Sequence, residues 1–220
     1  MILERLFVHV APHNCIGCEA EGRLLCQACA GLIVRPPARC YRCHRLSPGG
    51  KTCQTCRHHS DLYAVHAGAI YDGLAKDLVW RLKLGGAQGA AREMASLLAE
   101  NSETADNLIV MHVPTATSRV RQRGYDQAQL LARAFSERAG LRYLPCLARL
   151  GQHKQVGASR KQRTAQLASA FRVLRPALVQ NAHILLVDDV LTTGATLEAA
   201  SKALKVAGAK RVSAIVFAQA

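Results

Sequence analysis

The 220-residue chain is long enough for one sizeable hydrophobic core together with a small accessory module. Half of its residues are hydrophobic, and no apolar run approaches the length of about 18 residues that indicates a transmembrane helix, so we expect a globular protein without membrane insertion. The net charge of +14 favours polyanionic partners, either phosphorylated substrates or nucleic acid. Because the apolar N-terminal segment lacks the cleavage site of a signal peptide, we expect a cytoplasmic location.

The first 60 residues are distinguished by their cysteines. Eight of the nine cysteines form four CxxC pairs, and four thiolates complete one tetrahedral zinc site, so residues 1–60 are predicted to be a module with two zinc sites. We favour sequential pairing of the CxxC motifs. The alternatives are an interleaved pairing, a redox-active array and a cysteine cluster without metal. Sequential pairing places Cys15, Cys18, Cys26 and Cys29 at one site and Cys40, Cys43, Cys53 and Cys56 at the other.

After residue 60, strand patterns alternate with helix patterns. In chain order, we predict strands over residues 65–71, 108–113, 141–144, 171–174, 184–190 and 212–217, and helices over residues 73–84, 90–100, 125–139 and 197–207. This alternation predicts an α/β domain with a parallel sheet over residues 61–220.

The segment from His183 to Ser201 (HILLVDDVLTTGATLEAAS) carries most of the predicted chemistry. A buried strand is followed by two adjacent acids, a small-residue loop and a helix. The start of the helix has unpaired N–H groups that favour a phosphate. Adjacent carboxylates suit sugar hydroxyls, or water on a metal ion that offsets the phosphate charge. Together they describe a ribose 5-phosphate site, and the alternative is an ordinary helix cap after a core strand.

A second loop, VPTATSRVRQRGYDQ over residues 113–127, also follows a strand and precedes a helix. It contains Arg119, Arg121 and Arg123, whose guanidinium groups suit the oxygens of a pyrophosphate. The alternative is a solvated basic loop.

The stretch from Ile184 to Thr196 resembles the phosphoribosyl-pyrophosphate (PRPP) signature of type I phosphoribosyltransferases. The resemblance implies that Asp188 and Asp189 contact the ribose hydroxyls and that the loop after them holds the 5-phosphate. That loop comprises Thr192, Thr193, Gly194, Ala195 and Thr196. By the same resemblance, Arg121 and Arg123 stabilise the leaving pyrophosphate.

Residues 149–166 contain five cations and no acid, and Lys154 is the candidate catalytic cation among them. Type I phosphoribosyltransferases have a mobile loop in this interval that closes over the active site, which would bring cations to the pyrophosphate and exclude water. A flexible basic loop and a nucleic-acid contact are the alternatives.

The order of these features resembles the ComF family, including its GntX-type members, in which a double zinc ribbon precedes a phosphoribosyltransferase domain. The resemblance rests on the cysteine pairs, on YDGLAKDLVWRLKLGG, on VPTATSRVRQRGYDQAQLLA and on the PRPP motif. The family usually has Phe-Asn where this chain has Tyr125-Asp126. Its members are associated with DNA uptake in natural competence, which implies single-stranded DNA and DNA-processing proteins, such as a competence helicase, as partners.

Two functional hypotheses follow. In the first, the protein is a phosphoribosyltransferase that binds PRPP with Mg²⁺ and transfers the ribosyl group to an acceptor that the sequence does not identify. In the second, the same scaffold serves as a non-enzymatic single-stranded DNA-binding protein of the competence machinery. Residues 119–163 hold 11 Lys and Arg against two acids, which fits either polyanion.

Overall fold

The structure is a computed structural model that describes residues 14–84, 87–100, 108–150 and 170–220. Seven strands are assigned in these ranges: β1 (Val65–Ile70), β2 (Leu108–His112), β3 (Arg142–Tyr143), β4 (Leu147–Arg149), β5 (Phe171–Val173), β6 (His183–Leu191) and β7 (Arg211–Gln219). Five form a parallel sheet in the order β1-β7-β6-β2-β3, while β4 and β5 form a separate antiparallel pair. The predicted fold class, a parallel α/β sheet preceded by a cysteine-rich module, is confirmed.

The helices of the same ranges are α1 (Gln27–Ala30), α2 (Gln54–Arg57), α3 (Gly73–Leu84), α4 (Ala87–Ala99), α5 (Thr117–Arg123), α6 (Gln127–Ala139) and α7 (Ala195–Val206), with short 3-10 turns at Pro48–Gly50 and Pro176–Leu178. Helix α5 was not predicted, because the arginine-rich stretch was interpreted as a loop. It ends at Gly124, which has a left-handed backbone with φ of 80°. None of the helices described is long and apolar enough to cross a membrane.

Both faces of the sheet are buried. Along β6, Leu185 and Val187 lie in one hydrophobic cluster with α3, α4 and α6, whereas Ile184 and Leu186 lie in another with α7 and the β4–β5 pair. Successive strand residues point to opposite faces, so a strand covered on both sides needs an unbroken apolar run. This explains why the sequence of β6 does not alternate between apolar and polar residues.

The parallel strands bring two chemically important loops to one edge of the sheet. Strands β2 and β6 are neighbours in register, with His112 beside Val187, so the segments that follow them emerge side by side. Strand β6 continues through both acids to Leu191, and there it is still paired with β7. The carboxyl edge of such a sheet is the usual ligand-binding edge.

The cysteine-rich region packs directly against the sheet domain. Cys15 and Cys29 are buried in the same hydrophobic cluster as the residues of α3 and α4. The Ile70 N–H donates to the Val34 carbonyl at 2.8 Å, and the Thr52 N–H donates to the Tyr63 carbonyl at 2.8 Å. The described part of residues 1–60 therefore shares a continuous core with residues 61–220.

Candidate functional site

The two adjacent acids lie at the carboxyl end of β6. Asp189 is buried, and its Oδ2 lies 2.8 Å from the Nζ of Lys83, at the end of α3. Asp188 is partly buried, and its Oδ1 accepts a hydrogen bond from the Asp189 N–H at 2.9 Å. The sequence placed the two acids at a strand end but did not indicate the lysine that neutralises one of them.

The environment of Asp188 disfavours its charged form. Burial raises the pKa of Asp188 well above its usual range, the neighbouring charge of Asp189 raises it further, and Lys83 works in the opposite direction. A carboxyl group in this state gains most from a ligand that supplies positive charge or hydroxyl donors. A sugar diol or a hydrated divalent cation would provide such groups.

The loop after β6 is open where a phosphate would bind. Thr192, Thr193 and Ala195 are exposed, and Thr196 is partly exposed. Gly194 takes the N-cap position of α7 with a left-handed φ of 75°, and it offers no side chain to the first turn. The N–H groups of that turn have no acceptor within the helix, so they and the positive end of the helix favour an anion.

The arginine-rich segment after β2 is held in place by one aspartate. Asp126 caps α6 by accepting from the Ala128 N–H at 3.0 Å and the Gln129 N–H at 3.3 Å. The same carboxylate accepts from the N–H of Thr115 at 2.8 Å and from its hydroxyl at 2.9 Å. Asp126 therefore joins the two ends of the loop around α5.

The predicted pyrophosphate ligands lie on α5. Arg121 is exposed, and Arg123 is partly buried. The buried Nη1 of Arg123 has no hydrogen-bond partner among the residues described. A guanidinium nitrogen in this state has capacity for an incoming anion. Lys154, the remaining predicted catalytic residue, lies outside the described residues.

The eight paired cysteines form two separate clusters, and the grouping is sequential. The first contains Cys15, Cys18, Cys26 and Cys29, the second contains Cys40, Cys43, Cys53 and Cys56, and within each cluster the four sulfurs lie within 4.8 Å of one another. The sulfurs of Cys18 and Cys26 are 3.6 Å apart, as are those of Cys43 and Cys53. Four thiolates around one Zn²⁺ would be about 3.8 Å apart, because each Zn–S bond is about 2.3 Å long. Both clusters can therefore hold zinc.

In each cluster one cysteine has a lowered pKa. The N–H of Cys26 points at the Cys15 sulfur at 3.3 Å, and with other backbone N–H groups it lowers the pKa of Cys15 to about 6. For Cys40, burial works in the opposite direction, but backbone donors led by the Cys53 N–H lower its pKa to about 6. The thiolate is the form that binds metal, so this backbone geometry suits metal ligands.

Comparison with known proteins identifies the domain that carries the acids and the loop. The sequence model of the phosphoribosyl transferase domain family matches residues 89–220, which is more than half of the chain. The chain belongs to the phosphoribosyl transferase family. Its matched region begins within α4 and includes the arginine-rich segment, both acids and the loop before α7.

Two curated relatives extend the comparison to the cysteine-rich region of this phosphoribosyl transferase family member. Competence protein ComFC of Streptococcus pneumoniae (strain ATCC BAA-255 / R6) is 29% identical over 86% of this chain and 84% of its own length. Competence protein F of Haemophilus influenzae (strain ATCC 51907 / DSM 11121 / KW20 / Rd) is 25% identical over 97% of this chain and 93% of its own length. The predicted resemblance to the ComF family is confirmed.

Solved structures of phosphoribosyltransferases are also similar to this chain. The glutamine PRPP amidotransferase from B. subtilis matches with a TM-score of 0.43 and 18% identity, over 59% of this chain and 26% of its own. The adenine phosphoribosyltransferase from Thermoanaerobacter pseudethanolicus matches with a TM-score of 0.39 and 15% identity, over 60% of this chain and 80% of its own. This chain therefore spans about a quarter of the length of the amidotransferase.

The sequence analysis did not identify several residues that lie next to the predicted site. Lys83 contacts Asp189, and Thr115 joins Asp126 across the ends of the segment that carries Arg121 and Arg123. Asp126 was noted only as a departure from the family pattern. Tyr125 was noted only as a departure from the family pattern, and its hydroxyl donates to the Leu82 carbonyl at 2.8 Å. That bond ties the arginine-rich segment to the end of α3, next to Lys83.

Proposed function

We propose that this protein binds PRPP together with Mg²⁺ at the carboxyl edge of its parallel sheet and transfers the ribosyl group to an acceptor. The supporting observation is a juxtaposition at the end of β6. Asp188, which is partly buried, and Asp189, which is buried, are followed by an exposed threonine loop and by the Gly194-capped start of α7.

In this proposal the two acids contact the ribose hydroxyls, and residues 192–196 hold the 5-phosphate. The hydroxyl donors of ribose would stabilise the ionised form of Asp188, whose pKa is raised by burial when the site contains only protein. Thr192 and Thr193 add exposed hydroxyl donors next to the first N–H groups of α7. Mg²⁺ bound with PRPP would neutralise pyrophosphate charge close to these carboxylates.

The pyrophosphate end of PRPP would meet the cations of α5. Cleavage of the C1–pyrophosphate bond leaves negative charge on the leaving group, and Arg121 and Arg123 would stabilise that charge. The buried, unpartnered Nη1 of Arg123 supports this role. Lys154 remains a proposed further cation for the same step. A nitrogen nucleophile of the acceptor would then form the new bond to C1.

Calorimetric titration tests the binding step directly. Zinc-loaded protein is titrated with PRPP, ribose 5-phosphate and pyrophosphate, each with and without Mg²⁺. We expect saturable binding of PRPP that requires Mg²⁺, together with weaker binding of each fragment. Absence of heat for all three ligands, in a sample whose unfolding is cooperative, would overturn the proposal.

Single-stranded DNA binding is the second candidate function. It is favoured by the 11 Lys and Arg against two acids in residues 119–163, and by the two relatives that are named competence proteins. Aromatic side chains for base stacking are scarce in the described part of the chain. Tyr41 is buried, and Tyr63 has two arginines over its ring, whereas Trp80 is 62% exposed. DNA contacts of this protein would therefore be mainly electrostatic.

The two candidates are separated by measuring two quantities on one preparation. PRPP-dependent release of pyrophosphate in the presence of candidate nitrogen bases reports transferase activity, and fluorescence anisotropy of a labelled oligonucleotide reports DNA affinity. Pyrophosphate release without DNA affinity supports the enzyme alone. DNA affinity without binding or turnover of PRPP supports the binding protein.

The two cysteine clusters have a structural role in either function. We propose that each holds one Zn²⁺, and that the protein acts in the cytoplasm, where reduced thiols are available as ligands. Each cluster provides four ligands and leaves no open coordination position, which is typical of structural rather than catalytic zinc.

A further inference from the structure

The second cysteine cluster contacts the loop proposed to bind the 5-phosphate. Tyr41 and Arg42 lie between Cys40 and Cys43 in the first CxxC turn of that cluster. The hydroxyl of Tyr41 donates to Glu198 in the first turn of α7, and the Nη1 of Arg42 lies 2.9 Å from the same carboxylate oxygen. These contacts join residues more than 150 positions apart in the sequence.

The carboxylate of Glu198 is contacted by groups from the cysteine-rich region and from Asp61, the residue that follows it. Its second oxygen accepts from the Asp61 N–H at 3.3 Å, and Tyr41 also hydrogen-bonds Ser60 at 2.7 Å. Glu198 is therefore directed at this region rather than at the N–H groups of its own helix. The first turn of α7 is held by contacts from outside the helix, and Glu198 does not occupy its N–H groups. The Ala195 N–H makes a long contact of 3.4 Å with the Oγ1 of Thr193.

The ring of Tyr41 also packs against the backbone of Gly194. A Cβ at Gly194 would lie 2.8 Å from both Cδ2 and Cε2 of that ring, closer than side chains tolerate, and the left-handed φ of 75° further disfavours other residues. Tyr41 is itself only 5% exposed. Glycine at this position thus serves the packing of the tyrosine as well as the turn.

The first cysteine cluster makes a different contact. Its CxxC turn packs on α3, where a Cβ on Gly17 would lie 3.0 Å from Leu74, and Arg23 lies 3.6 Å from Glu93 of α4. Both clusters are thus anchored by an arginine–glutamate pair. In the second cluster the arginine contacts α7 next to the phosphate loop. In the first cluster it contacts a helix on the opposite face of the sheet.

We infer that the second cysteine cluster positions the phosphate loop, with Tyr41 as the positioning residue. Metal at that cluster would fix the CxxC turn, the turn would hold Tyr41 and Arg42, and these would hold Gly194 and Glu198 in their observed conformation at the start of α7. Metal occupancy and 5-phosphate affinity are then thermodynamically linked. The identity of the ligand rests on the proposed function, but the coupling between cluster and loop does not.

The first experiment needs no ligand. Hydrogen exchange is measured by mass spectrometry on a peptide covering residues 191–201 in Tyr41→Ala, Tyr41→Phe, Cys43→Ser and the matched control Arg23→Ala. We expect faster exchange of this peptide in Tyr41→Ala and Cys43→Ser, a smaller increase in Tyr41→Phe, which keeps the ring, and no change in Arg23→Ala. Cys18→Ser should instead accelerate exchange in α3 and α4.

Peptides from β7 and α6 separate a local effect from global unfolding. Faster exchange confined to residues 191–201 supports the inference, and unchanged exchange there in Tyr41→Ala and Cys43→Ser overturns it. If Tyr41→Ala speeds hydrogen exchange in the β7 and α6 peptides as well, the variant is globally destabilised. The inference is then tested with the milder variants Tyr41→Phe and Arg42→Ala. Equal exchange of the loop in those two variants and in Arg23→Ala then overturns the inference.

The second experiment measures affinity for ribose 5-phosphate and for pyrophosphate by calorimetry. Tyr41→Ala should weaken ribose 5-phosphate binding about fivefold or more, the lower end of typical coupling between sites. Pyrophosphate binding should be unchanged, because its proposed ligands lie on α5. Equal ribose 5-phosphate affinity in Tyr41→Ala and wild type overturns the inference. If wild type binds neither ligand, the proposed function fails, and the exchange experiment still decides the coupling.

Discussion

Lys83 lies 2.8 Å from Asp189 and is the cation that allows two adjacent acids to share the end of one strand. The lysine lies in the last turn of α3, and its charge also opposes the rise in the pKa of Asp188. Both side chains of the pair are largely shielded from solvent, with 29% of Lys83 and 10% of Asp189 exposed. Removing the cation should therefore cost more than breaking an exposed surface pair.

The first prediction is the effect of Lys83→Met, which keeps the length of the side chain and removes its charge. We expect the free energy of unfolding to fall by about 1–3 kcal/mol near pH 8, less than for a fully buried pair, because part of the lysine is exposed. The loss should be smaller near pH 5. Without Lys83 the pKa of Asp188 would rise further, so at this pH Asp188 would keep its proton and would not repel Asp189. Urea denaturation at both pH values measures this difference.

Lys76→Met is the matched control for this variant, because Lys76 lies on the same helix and is exposed. We expect its stability to stay within about 0.5 kcal/mol of wild type. Equal losses of stability in the two lysine variants would show that the Lys83–Asp189 contact contributes no more to the free energy of unfolding than an exposed lysine does.

The second prediction concerns Asp188→Asn. Because the pKa of Asp188 is raised in the folded protein, the folded state holds its proton to higher pH than the unfolded state does. Stability should therefore fall as pH rises from about 4 through the folded pKa, and the asparagine variant should lack this decline. In protein without ligand, the variant should melt at a higher temperature than wild type near pH 8 and at a similar temperature near pH 4.

The same substitution should abolish Mg²⁺-dependent PRPP binding, because the ribose contact is lost. Glu137→Gln, at an exposed position of α6, is the control and should change neither property. An asparagine variant that is less stable than wild type near pH 8 would contradict the conclusion that the folded protein disfavours the charged form of Asp188.

The third prediction concerns Asp126, which accepts four hydrogen bonds at distances from 2.8 to 3.3 Å. Asp126→Ala removes both the cap of α6 and the link to Thr115, and it should cost about 1–3 kcal/mol. Asp126→Asn keeps an oxygen that can cap the helix and should cost less. The asparagine is also the residue that the ComF pattern usually has here. Denaturation midpoints of the two variants test this order, and equal losses would refute it.

The sequence was sufficient for features whose cause is local. The unbroken apolar run of β6 predicted a strand buried on both faces, and four CxxC pairs predicted two four-cysteine groups. Helix α5 was missed although its signals are present, because Gly124 was interpreted as part of a loop rather than as a helix C-terminus. Asp126, two residues later, is the N-cap of the next helix.

The contacts that shape the site could not be predicted from the sequence because they join distant segments. Lys83 and Asp189 meet because α3 returns to the sheet edge where β6 ends. Glu198 in a first helical turn has an ordinary local explanation, a favourable charge at the positive end of a helix. Only the packing of the cysteine-rich region shows that it contacts Tyr41 and Arg42 instead.

The fourth prediction is the metal content. Purified protein should contain about two Zn²⁺ per chain, and Cys18→Ser and Cys43→Ser should each lose about one. Because Cys15 and Cys29 lie in the core cluster of α3 and α4, loss of metal from the first cluster should also lower the melting temperature of the sheet domain. Elemental analysis and circular dichroism measure the two effects. Wild-type protein with one zinc or none would reject the two-site proposal.

The final prediction concerns DNA and uses salt dependence to locate its binding surface. Each phosphate contact on a single strand contributes about −0.7 to the slope of log affinity against log salt concentration. Replacing Arg119, Arg121 and Arg123 together by alanine should therefore make the slope shallower by up to about two if DNA lies on α5. The matched variant replaces three exposed cations of the cysteine-rich region, Arg35, Arg45 and Lys51.

Competition distinguishes the two surfaces independently of these variants. Excess Mg²⁺-PRPP should displace DNA that occupies α5, because both ligands would use the same guanidinium groups, and it should leave DNA on the cysteine-rich region in place. A shallower salt dependence of DNA affinity in the α5 variant, together with displacement of DNA by PRPP, would show that one surface binds both polyanions. No measurable DNA binding even at low salt would remove the second candidate function and leave the cations of α5 to pyrophosphate.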